Sequence, residues 1–258
     1  MRIRSLVAAG NIGFMFLLVS GNAAESAELK VLSAIGIQAV MEDLGPKFER
    51  ATGHKLAITF ANAGTTVKRI QDGETADVVI TTQPGIESFV RDGKAVADNV
   101  TILARSGIGL AVRNGAPKPD ISSPEAFKRT LLAAKSIAYS NPAGGASSGI
   151  HFATVLDRLG IANEMKSKTI FPKSGRVGVL VANGEAELAV AQIQELMLVA
   201  GIEIIDPLPG DLQDTIIFSA AIMASSRDTE ASRSLVNFLR TPQATAVINA
   251  KGMEPATP

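Results

Sequence analysis

Between Leu29 and Gly93 three short apolar runs alternate with three segments of helical spacing. No other feature of the chain limits its fold as strongly. Leu29-Lys30-Val31-Leu32-Ser33-Ala34 reads as a buried strand, Lys55 to Phe60 as a second and Ala76 to Thr81 as a third. Ile37, Val40, Met41, Leu44 and Phe48 recur on one helical face, which predicts a helix over 37–52 that Gly53 stops. Ala61 to Thr66 reads as a polar turn of small residues ahead of a short helix, Val67 to Gln71. Another helix is expected from Gln83 to Arg91, closing near Gly93. This β-α-β-α-β-α order is the pattern of a parallel sheet covered on both faces. In such sheets ligands bind beyond the carboxyl ends of the strands. Those ends are Ser33-Ala34, Ala61-Asn62-Ala63 and Thr81-Thr82, small or hydroxylic residues that leave backbone donors accessible.

The pattern then repeats. Ile102 to Val112 reads as one apolar strand, and Asn114 to Asp120 as a loop. Ser123-Pro124-Glu125 has the order of a helix start: an N-cap, a proline at the first position, an acid in the first turn. Strands are expected at 136–140, 169–171, 188–192, 202–207 and 216–224, and helices at 150–159, 175–182, 229–239 and 242–251. The expected architecture is α/β: two Rossmann-like lobes joined by two crossover strands, with a ligand cleft between them. Residues 25–110 plus 217–258 would form one lobe and residues 111–216 the other.

Residues 1–24 have the composition of an export signal. Arg2 and Arg4 precede an apolar run from Ile12 to Val19, too short to span a bilayer, and small residues through Ala24 follow. The expected location is therefore the periplasm. Removal of this segment leaves 23 of the 25 basic residues against 25 acidic ones. Such a balance excludes sequence-independent nucleic-acid binding, which needs a basic excess. With no Cys in the chain, disulfides, thiolate metal sites and thiol catalysis are excluded. With two His, His54 and His151, a multi-histidine metal site is not expected. No cofactor is called for.

Asn141-Pro142-Ala143-Gly144-Gly145-Ala146-Ser147-Ser148-Gly149 lies between a strand and a helix. Free N–H groups at a helix start, with the hydroxyls of Ser147 and Ser148, suit an anion. An ordinary loop with a serine N-cap has the same composition. It is neither a P-loop nor a dinucleotide fingerprint. Ser33, Gly64 and Thr65 occupy the matching strand ends in the other lobe. Arg176 sits at a helix start, the unfavourable end for a cation, and so faces a ligand, a partner carboxylate or solvent. Gln192 ends the apolar strand LAVAQ, either facing the cleft or satisfied in the core. His151, in the first turn after the Gly/Ser loop, is either a general base or a half-buried surface histidine.

Taken together, these segments resemble type II periplasmic solute-binding proteins of the molybdate-binding (ModA-like) superfamily. The likeness runs through LKVLSA, FANAGTT, ADVVIT, SNPAGGASSG and GRVGVLVANGEAELAVAQ to LRTPQA. It implies capture of a small anion by Ser33, Gly64, Thr65, Ser147, Ser148, Arg176 and Gln192, with delivery by a monomer to an ABC permease. In molybdate binders a tyrosine ends the strand that here ends in Gln192. That departure favours an organic carboxylate, such as a tricarboxylate, over an oxyanion. The segments AVRNGAPKPDIS, AYS and GEA to QIQEL are similar to the branch that includes periplasmic aconitate isomerase. This second similarity implies the alternative of a cofactor-free proton shift, with His151 as the base.

Overall fold

The computed structural model describes residues 26–173 and 176–256. The expected export signal lies outside the described residues, as do Ser174 and Gly175. The chain runs β1 (Glu28–Ala34), α1 (Gln38–Thr52), β2 (Lys55–Ala61), α2 (Ala63–Gln71), β3 (Val78–Thr82), α3 (Gln83–Arg91) and β4 (Ala95–Ser106). It continues through β5 (Ile108–Arg113), α4 (Pro124–Ala133), β6 (Ile137–Tyr139), α5 (Ser147–Arg158), α6 (Ala162–Lys166), β7 (Thr169–Ile170) and α7 (Val177–Ala182). It ends with β8 (Leu188–Gln192), α8 (Ile193–Leu196), β9 (Ile202–Pro207), β10 (Ile216–Met223), α9 (Thr229–Phe238), α10 (Pro242–Ala250) and β11 (Glu254–Pro255).

The strands form two sheets, one in the order β11-β4-β10-β3-β1-β2 and the other β7-β6-β8-β5-β9. β1 is parallel to β2 and β3, and β6 is parallel to β7 and β8. These are the βα units expected from the sequence. The other pairs are antiparallel, so both sheets are mixed. The antiparallel strands include those that carry the chain between sheets: β4 passes to β5 at Gly107, and β9 to β10 through Leu208–Thr215. The run 102–112, read as one strand, is thus split between two sheets. Gln213 on the return path accepts from the Ile108 N–H at 3.0 Å and donates to the Ile108 carbonyl at 2.9 Å. One amide therefore clamps the two crossovers together.

Strand periodicity sorts the core. Val31, Val78, Ile80, Ala220 and Ile222 face one cluster, whereas Leu32, Val79, Ala221 and Met223 face another under α2 and α3. In the second sheet Leu188 and Val190 join the first cluster, while Ala189 and Ala191 face a third beneath α7. Gln192 thus shares its strand face with large apolar residues and closes that row at the cavity. The expected turn 61–66 is instead the end of β2 and the first turn of α2. Ala63 and Thr66 are buried there, so tertiary packing turns small polar residues into helix. The first part of β4, Ala95–Val100, went unread because its side chains are largely exposed and carry no apolar period.

Candidate functional site

A cavity of about 100 Å³ lies between the lobes. On the first lobe it is lined by the residues just past β1 and β2, among them Ile35, Gly36, Gln38, Asn62 and Ala63. On the second it is lined by Ser140 after β6, Ala146 and Ser147 at the start of α5, Arg176 and Val177 at the start of α7, and Gln192, Gln194, Glu195 and Leu198. Phe218 of β10 also contributes. Helices α1, α2, α5 and α7 all begin here, and none has a side-chain hydrogen bond at its N-cap. Apart from those of Gln38 and Gly64, which donate to the Ile35 and Gly145 carbonyls, their first N–H groups, with the dipoles behind them, form a donor-rich wall for an anion.

A chain of amides crosses the cavity. Gln194 donates to the Gln192 carbonyl oxygen at 2.8 Å and to the Gly36 main-chain carbonyl at 2.8 Å, tying α8 to the exit of β1. Its own side-chain oxygen accepts from Ser106. Gln192 in turn donates to Oε1 of Glu195 at 3.2 Å. Gly36 is a steric necessity here: a Cβ would lie 2.6 Å from Phe218 Cζ and 2.9 Å from Gln192 Oε1.

Among the described residues two charged side chains line this cavity, Arg176 and Glu195. Glu195 is half-buried. Burial pushes its carboxyl up to about 7, against the pull of the Arg176 guanidinium. It therefore exchanges its proton near neutrality, where an ordinary glutamate is fully ionised.

The two glycine-bearing turns meet across the cleft. Gly64 donates its N–H to the Gly145 carbonyl at 3.0 Å, and Asn62 donates to the Gly144 carbonyl at 3.1 Å. A Cβ on Gly64 would lie 2.9 Å from Gly145 Cα, so the backbones touch because neither residue has a side chain. Gly145 also has φ +73°, which favours glycine. Gly149 packs α5 onto the end of β6, where a Cβ would lie 2.1 Å from the Ser140 carbonyl oxygen.

Of the residues singled out from sequence, Ser147, Arg176 and Gln192 line the cavity. Gly64 and Thr65 stand at its closing edge. Ser33 is fully buried, with its hydroxyl turned to the Ala34 carbonyl at 3.4 Å, and Ser148 is buried in the first turn of α5. His151 lies in a separate outer groove with Thr82, Gln83 and Asp214, which shares Ser147 with the cavity. Its Nε2–H donates to the Leu212 carbonyl at 2.8 Å, and Nδ1 is 3.6 Å from Asp214. With Arg158, which donates to the Asp211 carbonyl at 2.8 Å, it ties α5 to the β9–β10 crossover. His54 is half-buried: it accepts from the Ala27 N–H at 3.1 Å and stacks on Phe48. Among the described residues no three His, Asp or Glu side chains converge as metal ligands.

Sequence reasoning passed over Gly36, Gln194 and Glu195. QIQEL entered only as part of a family likeness, and the burial of Glu195 at the cavity wall is what gives the acid a role.

Residues 29–254 match the family of bacterial extracellular solute-binding proteins. The chain is 36% identical over 233 residues to an aconitate isomerase from Pseudomonas sp., covering 88% of this chain and 87% of that one. It is 32% identical over 237 residues to the molybdate-binding protein ModA of Azotobacter vinelandii, covering 89% and 91%. The solved periplasmic molybdate-binding protein of the same organism superposes with a TM-score of 0.70 at 22% identity, over 89% of this chain and 99% of that one.

Proposed function

The chain belongs to the family of bacterial extracellular solute-binding proteins, and from that premise we propose that it captures a small organic polycarboxylate in the cavity between its lobes. In this reading the protein acts as a periplasmic monomer. Its lobes close over the ligand and an ABC permease receives it. Ser147, Arg176 and Gln192 contact the ligand directly. Gly64 and Thr65 act through closure, while Ser33 and Ser148 support the strand and helix ends from beneath.

The observation that carries this reading is that Arg176 and Glu195 both line the cavity wall. A guanidinium binds a carboxylate through two parallel hydrogen bonds. In its neutral form Glu195 donates a further hydrogen bond to a second carboxylate of such a ligand. Neutral amides and helix N-termini accommodate the remaining charge without a tight salt bridge, which suits capture and release.

A thermal-shift series tests the proposal. Ligand binding stabilises by RT ln(1 + [L]/Kd), about 2.7 kcal/mol at a hundredfold excess over Kd. Citrate and the aconitates are expected to raise the melting temperature by several degrees while molybdate and sulfate leave it unchanged. A large shift with molybdate alone would overturn the carboxylate reading.

One observation favours a second reading. A carboxyl that exchanges its proton near neutrality is more than capture requires, and the relative at 36% identity carries the name aconitate isomerase. In this form the protein interconverts cis- and trans-aconitate without a cofactor, and NMR of the incubated substrate distinguishes binder from enzyme.

A further inference from the structure

We propose that Glu195 is the catalytic residue that carries the proton in an allylic isomerisation of an unsaturated tricarboxylate held in the interlobe cavity. The inference rests on the isomerase reading above. It follows from where the ionisable groups lie. Among the described residues the cavity wall holds one side chain that can take and return a proton, Glu195, and one fixed cation, Arg176. His151 does not line this cavity, and its Nε2–H is engaged by the Leu212 carbonyl at 2.8 Å. Gln192 holds Glu195 Oε1 at 3.2 Å, and among the described residues Oε2 has no hydrogen-bond partner. The carboxyl is thus oriented through one oxygen, with the other left for a substrate. Its affinity for protons, raised by burial to about 7, suits a base that must also act as an acid.

The step balances without a co-reactant. Glu195 carboxylate takes a proton from the methylene carbon next to the double bond. That C–H electron pair becomes the new C=C bond. The electrons of the old double bond, delocalised meanwhile onto the adjoining carboxylate, take the same proton back at the far allylic carbon. Glu195 ends ionised, as it began. The two ends of aconitate carry the same groups. Closing the new double bond on the opposite side therefore gives the other geometrical isomer. Arg176 and the uncapped helix ends stabilise the extra charge of the intermediate.

The test compares the purified wild-type chain with Glu195→Gln, Glu195→Asp and His151→Ala. Conversion of cis-aconitate is followed by NMR, and binding by thermal shift. Glu195→Gln keeps the acceptor for Gln192 and is expected to lose about 10²–10⁴-fold in kcat, while the aconitate-induced shift stays within about 2 °C. Glu195→Asp is expected to retain part of the rate. Wild-type kcat should fall as pH drops below about 7, where the base becomes protonated. Near-wild-type turnover by Glu195→Gln would overturn the proposal, as would equal losses of turnover and binding. His151→Ala abolishing turnover while Glu195→Gln stays active would assign the step to His151 instead. Absence of conversion by a wild-type chain that still binds aconitate would remove the isomerase reading and this inference with it, while leaving capture standing.

Discussion

Five helices begin at the interlobe cavity, α1, α2, α5, α7 and the one-turn α8, and none has a side-chain cap. Of the longer helices that begin away from it, α4, α9 and α10 are capped, by Ser123, Asp228 and Thr241, whereas α3 is not. The short α6 is remote and uncapped, but it has a single turn to stabilise. A cap stabilises a helix end by accepting from its free N–H groups. Where those groups face the cavity, the place of the cap is left to an anion. The capped remote ends gain stability from their caps, and the cavity ends forgo about 1 kcal/mol each for binding capacity.

The largest expected effect concerns the one fixed cation among the cavity ends. Arg176→Ala should weaken citrate or aconitate binding about 10- to 100-fold, since a hydrogen bond to a charged group contributes about 1.5–3 kcal/mol. Titration calorimetry reads this directly, and unchanged affinity would separate Arg176 from the ligand. Next is the closing edge. Gly64→Val places side-chain atoms against Gly145, 2.9 Å from its Cα at the Cβ position alone. Closure should then be harder by about 1.4 kcal/mol and affinity about tenfold lower, with the melting temperature little changed.

Exchanging caps sharpens the contrast. Ala146 already has the extended backbone of an N-cap, φ −77° and ψ 123°. Ala146→Asp should stabilise the unliganded protein by about 1 kcal/mol while lowering anion affinity severalfold. Ser123→Ala, at a remote end, should cost about 1 kcal/mol, or about 2–4 °C, and leave affinity untouched. If Ser123→Ala altered affinity as much as a cavity variant, the distinction between the two sets of helix ends would fail.

The pH dependence of stability gives a further test. Glu195 has its pKa raised on folding from 4.5 to about 7. Its contribution is fully present below pH 4.5 and is lost as pH rises towards 7, because the unfolded chain ionises first. Chemical denaturation of Glu195→Gln between these limits should lack that decline.

The sequence made some of this legible. The α1 face of Ile37, Val40, Met41, Leu44 and Phe48 was readable because all five pack into one core. Gly53 was readable as its stop and has φ +79°. LAVAQ was readable as a buried strand, and its closing glutamine lines the cavity. The start of α2 was not legible, since Gly64-Thr65 has turn chemistry that packing overrides. The break at Gly107 was hidden because apolar residues continue on both sides while the sheet changes. Glu195 was invisible for a different reason. An isolated glutamate is a surface residue, and this one acquires its chemistry from burial at the cavity wall and from Arg176, which is brought near it only by the fold.

The most direct test of the account is a calorimetric titration of the wild-type protein and Arg176→Ala with cis-aconitate and with molybdate. The account predicts that the wild type binds cis-aconitate and not molybdate, and that Arg176→Ala weakens aconitate binding at least about tenfold. Tight molybdate binding by the wild type, unaffected by Arg176→Ala, would contradict it.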